Sequence, residues 1–311
     1  MSDFTTVPGF PTITKHISCD KKAPEPNFWK KEFERLSTMS VSLSDAAKQT
    51  HDLIARNLQN DNPTFAGHDR RVLDLFMALY GKFSWKSPNE KQKAKARAYR
   101  LWQLAHMYYR GLATHPVDFQ YRIFCDQNDW VVNPSNSKLW MIKDLPLGPH
   151  MVHLQTSNVC KMPLKNDKGV ITGYEDAGAF VTPASANIAP FNWIQICDVG
   201  FQGMRYSLTD PFNGGYNKVK GLWLYDVVYS TPERLLFHEL GHGWSAFGGF
   251  TTLDHAYGWN EVVLLAQAQV ANNDVDDYLP LKNADTFALW ACGEYLAIPL
   301  RRMFVKWCDP N

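Results

Sequence analysis

No run of about 20 apolar residues occurs in the 311-residue chain, so no segment is expected to span a membrane. An excess of one charge is missing too. The 32 basic residues face 31 acidic ones, giving a formal net charge of +1, and no Lys/Arg-rich block disturbs that balance. A protein built to hold a nucleic-acid backbone is not expected from such a composition. The opening residues, MSDFTTVPGFPTITKH, lack a basic leader and an apolar h-region, so the chain as written is expected to carry no secretory signal peptide. Six cysteines are scattered with neither a CxxC pair nor zinc-ribbon spacing, a number that permits disulfides without requiring them. Both candidate glycosylation sequons, Asn62-Pro63-Thr64 and Asn133-Pro134-Ser135, contain the forbidden proline, which leans towards an intracellular life. Internal repeats and low-complexity tracts are absent as well.

Aromatic residues, by contrast, are plentiful. The 11 Trp favour a dense core or an aromatic-lined cleft. Residues 1–26 show no periodicity and read as an extended arm. From Asn27 the spacing turns helical, with Phe28, Phe33 and Leu36 and then Ala46, Ala47, Leu53 and Ile54 on successive turns. RRVLDLFMALY is a further amphipathic stretch that Gly81 should end, and EKQKAKARAYRLWQLAHMYYRGL carries Ala94, Leu101, Leu104 and Tyr108 on one stripe. After Pro116 short β-prone runs follow: FQYRIFC, KLWMIKDL, HMVHLQT, NWIQICDV and GLWLYDVVY. Helix returns near residue 231, where either Ser230 with Glu233 or Thr231 with Pro232 supplies the start signal. The expected class is α+β. A helical N-terminal region, 1–116, precedes a part, 117–311, with a small sheet and late helices, the two packed as one unit.

The chemistry concentrates in LLFHELGHGW, residues 235–244. His238 and His242 are four apart, so on a helix they project from one face and can grip one metal ion. Glu239 sits beside them, placed to act on a water without ligating the metal. This is the HExxH pattern, in which two imidazoles hold zinc and the glutamate serves as general base. Zinc lowers the pKa of its water to about 7, which makes hydroxide available near neutrality. The competing reading is a hydrogen-bonded histidine pair on an ordinary helix, but the apolar run Leu235-Leu236-Phe237 buries the helix beside the pair, as a metal site needs.

A catalytic zinc takes a third protein ligand and keeps a fourth position open. The metzincin pattern would require Gly at 245 and His at 248; Ser245 and Gly248 exclude it. Two candidates remain. Asp254 follows His242 across a Gly-rich turn, and Glu261 follows at the spacing used by gluzincins, with Asn260 beside it. The histidines His150 and His153 lie along an expected strand, where structural roles predominate, and His255 adjoins Asp254 without an assignable role.

HELGH followed by TTLDHAYG resembles the aspzincins, the deuterolysin-like and lysine-specific fungal metalloendopeptidases, over roughly residues 120–300. Their GTxDxxYG segment is matched at Thr252, Asp254, Tyr257 and Gly258, with Thr251 in place of the leading glycine. Asn283-Ala284-Asp285 resembles the family's NAD segment, and the strands around Cys125 and Cys197 are similar to cysteine-bearing family strands. The resemblance implies a zincin-like catalytic part with one zinc ion on His238, His242 and Asp254, Glu239 as base, and Tyr257 donating a hydrogen bond to the oxyanion. It also implies that Asp285 borders the substrate side-chain pocket. Lysine-specific members carry a glutamate three residues further on, where this chain has Ala288, so a less charged pocket is expected. The substrate is then a peptide or protein. The alternative is a small-molecule amide or lactam on the same scaffold, since the resembled proteases are secreted and this chain shows no leader. Against the aminopeptidase-like use of Glu261 stands the lack of a GxMEN-type motif.

Overall fold

Pro8-Gly9 turns the chain between two strands, β1 (Phe4–Val7) and β2 (Phe10–His16), with Gly9 at φ 88° supplying the left-handed position that such a turn demands. The expected extended arm is therefore a hairpin. The computed structural model describes residues 4–116, 119–128, 130–136, 139–142, 150–152, 159–166, 168, 170–182, 191–204, 227–228, 231–243 and 252–297. Within them the architecture is mixed α+β.

After a short helix, α1 (Ile17–Lys22), three longer ones follow: α2 (Phe28–Arg56), α3 (Gly67–Tyr80) and α4 (Pro88–Thr114). The two apolar patterns after Asn27 merge into the single helix α2, because Ser37 to Ser44 contain no breaker. Gly81 ends α3 at φ 89°, a conformation open to glycine. Ser87 caps α4, accepting the Glu90 N–H, and Pro88 takes the first helical position. The expected stripe of Ala94, Leu101, Leu104 and Tyr108 is buried against α2.

The central sheet has the order β1-β2-β3-β10-β9, with β3 (Tyr121–Phe124) parallel to β2 and to β10 (Asn192–Ile196), and β9 (Ala179–Thr182) antiparallel on the edge. Strands β4 (Trp130–Val132), β5 (Leu139–Ile142) and β6 (His150–Val152) form a second sheet, and β7 (Lys161–Lys165) with β8 (Ile171–Asp176) a hairpin. Helices α1 to α4 thus lie in sequence between the neighbouring parallel strands β2 and β3. The division at residue 116 falls inside one sheet-linked unit. His150 is on β6 as expected, while His153 and nearly all of GLWLYDVVY lie outside the described residues.

Among the described residues two disulfides tie this part together. Cys19–Cys125 joins α1 to the end of β3, and Cys160–Cys197 joins the foot of β7 to α5 (Asp198–Gly203); Cys292 is free and buried. Such bridges persist in oxidising surroundings, which runs against the intracellular leaning of the sequons.

Among the described residues the helices that follow are α6 (Pro232–Gly241), α7 (Gly258–Ala268) and α8 (Ala284–Ala297), with a 3-10 turn, Leu279–Lys282, before α8. Thr231 is the cap of α6, its hydroxyl accepting the Arg234 N–H, with Pro232 in the first turn; Ser230 lies outside the described residues. Glu233 turns instead into the protein, where it is fully buried 3.6 Å from Arg35 of α2. Among the described residues no helix is long and apolar enough to cross a membrane.

Helix α8 carries a buried acid, Glu294, whose pKa is raised to about 8 by burial, with Arg71 opposing the shift. A carboxyl held neutral when folded but free to ionise when unfolded, at its ordinary 4.5, stabilises the fold least at high pH. Its stability contribution is intact below pH 4.5 and is lost progressively as pH rises to about 8. Glu294→Gln should therefore match the parent at pH 4 and exceed it by roughly 3 kcal/mol at pH 7, read by urea denaturation across pH.

Candidate metal centre

Helix α6 is buried on nearly every side, with Leu236, Phe237 and Leu240 in the core and Glu239 only 4% exposed. Two tyrosines from distant elements secure its C-terminal carbonyls. Tyr108 of α4 stacks on Phe237, ring centroids 4.3 Å apart, and its hydroxyl donates to the Phe237 carbonyl at 3.1 Å. Tyr121 of β3 donates to the Leu240 carbonyl at 2.7 Å. The Leu240 carbonyl, in the last turn, also accepts the Gly243 N–H at 3.1 Å. The Tyr121 hydroxyl also explains Gly243, where a Cβ would stand 2.1 Å from it. Gly243→Ala should cost about 1–3 kcal/mol through this overlap, measured as a lowered denaturation midpoint.

His238 lies in the last turn of α6, and His242 is its C-cap at φ −72°, ψ −15°, still helical enough to preserve the four-residue presentation. Asp254 arrives from the loop before α7. Three ligand atoms converge: His238 Nε2 to His242 Nε2 is 3.2 Å, His238 Nε2 to Asp254 Oδ1 is 3.1 Å, and His242 Nε2 to Asp254 Oδ1 is 3.2 Å. Donors about 2.0–2.1 Å from a tetrahedral zinc stand roughly 3.3 Å apart, so the triangle has the size that zinc requires.

Hydrogen bonds on the far side of each ring assign the tautomers. His242 Nδ1 faces the Thr252 carbonyl at 2.9 Å, an obligatory acceptor, and so carries a proton. His238 Nδ1 faces Asp285 Oδ1 at 3.3 Å. That carboxylate is held ionised: although burial opposes it, His238 and Arg234 lower its pKa to about 2. Both Nδ1 atoms are then donors, which leaves two Nε2 lone pairs and one carboxylate oxygen directed at a common point. Three such atoms directed at one point can be bridged by a positive charge, a metal ion or a proton. The electrostatics favour positive charge here. Burial pulls the His238 imidazolium pKa down, but Asp254 and Asp285 outweigh it and lift it to about 10, while the two histidines hold Asp254 well below the usual carboxylate range despite its own partial burial.

Glu239 adjoins this triangle with its Oε2 buried and without a hydrogen-bond partner, and burial raises its pKa above the ordinary glutamate value. An unpartnered buried carboxylate oxygen carries a desolvation cost that a water or substrate proton would relieve. Tyr257 stacks on the His238 ring, centroids 5.9 Å apart, with its hydroxyl bonded to Asp254 and nearly half of its surface open to solvent. Burial and the neighbouring carboxylate push its phenol pKa up, which keeps the proton in place.

Two sequence expectations need correction. Glu261 is not in the converging group; its Oε2 accepts the Tyr257 N–H at 3.1 Å and caps the start of α7. Asp285 does not border an open pocket. It is fully buried behind His238, as are Thr286, Phe287 and Ala288, because the opening turns of α8 are enclosed on every face. His255 contributes its backbone N–H to Asn283. Thr251 and Trp244 lie outside the described residues. Sequence reasoning missed Tyr108, Tyr121, Arg234 and the Thr252 carbonyl, since none carries a local signal of what it will touch.

No protein-family model, curated protein or solved structure matches this chain. The functional reading therefore rests on the residues and their geometry.

Proposed function

We propose that this protein is a single-zinc hydrolase of aspzincin type, with a zincin-like catalytic part, that cleaves peptide bonds. The observation that carries the reading is the convergence of His238 Nε2, His242 Nε2 and Asp254 Oδ1 beside the unpartnered carboxylate oxygen of Glu239. In this reading His238, His242 and Asp254 hold the zinc. When bound, zinc polarises the scissile carbonyl and acidifies a water.

The remaining work falls to the protein. Glu239 takes the proton from the attacking water on its open oxygen and returns it to the departing nitrogen. Its burial supports this role, since a carboxylate away from bulk water accepts a proton more readily. Tyr257, half exposed beside the triangle, gives up its bond to Asp254 and donates to the carbonyl oxygen as negative charge builds there. Nothing charged between Asp285 and Ala288 reaches solvent, so selectivity for lysine side chains is not expected from that segment.

The test is incubation of zinc-loaded protein with a diverse unstructured peptide pool, new termini being read by mass spectrometry. New termini with a recurring neighbouring residue, absent with Glu239→Gln, are the expected result. One zinc per chain without any cleavage would sink the peptidase reading and leave a small-molecule amide as the substrate.

A further inference from the structure

We infer that Asn283 and Asp285 form a two-armed clamp at the start of α8 that positions all three metal-binding groups, an inference that rests on the zinc reading above. The first arm is Asn283, fully buried and hydrogen-bonded through both ends of its amide. Its Oδ1 accepts the N–H groups of His255 at 2.9 Å and Ala256 at 3.0 Å, and its Nδ2 donates to the Ala256 carbonyl and to Thr286 Oγ1, each at 3.0 Å. These bonds bracket the residues directly after Asp254. On the other side of Asp254, Leu253 makes an isolated parallel bridge with Asn283: its N–H reaches the Lys282 carbonyl at 2.7 Å and its carbonyl accepts the Ala284 N–H at 3.1 Å. Asp254 is thus the one residue of a short arch whose two feet both stand on 282–284. The neighbouring Thr252 carbonyl, which orients His242, sits on the same arch.

The second arm is Asp285. Its Oδ1 faces His238 Nδ1 at 3.3 Å and accepts from Arg234 Nη2 at 2.5 Å, while its Oδ2 accepts the Gly258 N–H at 2.6 Å. One carboxylate therefore sets the His238 ring, ties α6 through Arg234, and anchors the loop just past Tyr257. All these neighbours are donors. A carboxylate satisfies them on both oxygens, whereas an amide would set an NH2 group against one of them. Asp285 is consequently a positioning residue, and its saturation with internal donors leaves nothing to read a substrate cation.

Zinc affinity of the full-length chain, by competition with a chromophoric chelator, and the visible spectrum of its cobalt(II) form test the clamp without recourse to activity. Asp285→Asn and Asn283→Ala should each weaken zinc about 10- to 100-fold and alter the cobalt bands. Tyr278→Phe is the control for a general loss of stability. It removes a buried hydroxyl that donates to the Tyr80 carbonyl and accepts from Arg97, groups that belong to neither the triangle nor the clamp, and should leave both readouts unchanged. Should the first two variants fail to fold, Thr286→Val removes only the acceptor that steadies the Asn283 amide, and about three- to tenfold weaker zinc is expected. Tight zinc in the parent with unaltered affinity and spectrum in the folded variants would overturn the clamp and leave the zinc reading standing. A parent that binds no zinc would overturn both.

Discussion

Glu239→Gln is expected to lower hydrolysis roughly 100- to 10,000-fold, the range in which a positioned general base contributes, while zinc stays bound. The substitution keeps size and polarity, so the packing of α6 around Leu236, Phe237 and Leu240 is undisturbed. It removes only the capacity to accept a proton from water. Because Oε2 has no hydrogen-bond partner, an amide nitrogen placed at that position breaks no internal bond. Stability should therefore hold or rise slightly, since a neutral amide replaces a buried acid whose pKa burial already lifts. Zinc content by elemental analysis and kcat on the peptides found in the cleavage experiment measure the two effects separately. Loss of zinc in this variant would recast Glu239 as a ligand, and unchanged kcat would remove it from the chemistry.

Removing the Cys19–Cys125 bridge, by alanine at both positions, should cost about 4–5 kcal/mol of stability. The bridge spans 106 residues of sequence, and closing a loop of that size withdraws much of the conformational freedom of the unfolded chain. Both sulfurs are buried, so alanine leaves no unsatisfied polar group, and the loss is read directly from guanidinium denaturation. The effect should reach the cluster of His238, His242 and Asp254. Cys125 directly follows β3, and β3 carries Tyr121, whose hydroxyl holds the Leu240 carbonyl of α6. The Cys160–Cys197 bridge, spanning 37 residues, should matter somewhat less, at about 3–4 kcal/mol. A double-alanine variant at 19 and 125 as stable as the parent would show that the bridge contributes nothing to the fold.

Much of the helical architecture was legible because helix signals are local. The Gly81 stop, the Thr231-Pro232 start and the apolar stripes all act within a few residues of where they are read. The hairpin at the N-terminus was not, although Pro8-Gly9 between two β-prone runs is a turn signal. What makes it a pair of strands is the edge of β3, more than 100 residues downstream, to which β2 bonds. Pairings of that kind depend on partners that no window of sequence contains.

The same division runs through the site. Spacing alone put His238 and His242 on one helical face with Glu239 between them, since 3.6 residues per turn governs that outcome whatever surrounds it. Which of Asp254 and Glu261 comes to lie beside the histidine pair was a choice that helical geometry could not make. Tertiary structure made it, through an arch whose feet stand on 282–284 and which carries Asp254 to within 3.2 Å of both imidazoles, while Glu261 turns back to cap its own helix. It also moved Asp285 from an expected pocket wall to the buried side of His238, 47 residues away in sequence. The donor types were written in the chain, but their convergence on one point depends on long-range packing, because each ring and carboxylate is aimed by a hydrogen bond from another element.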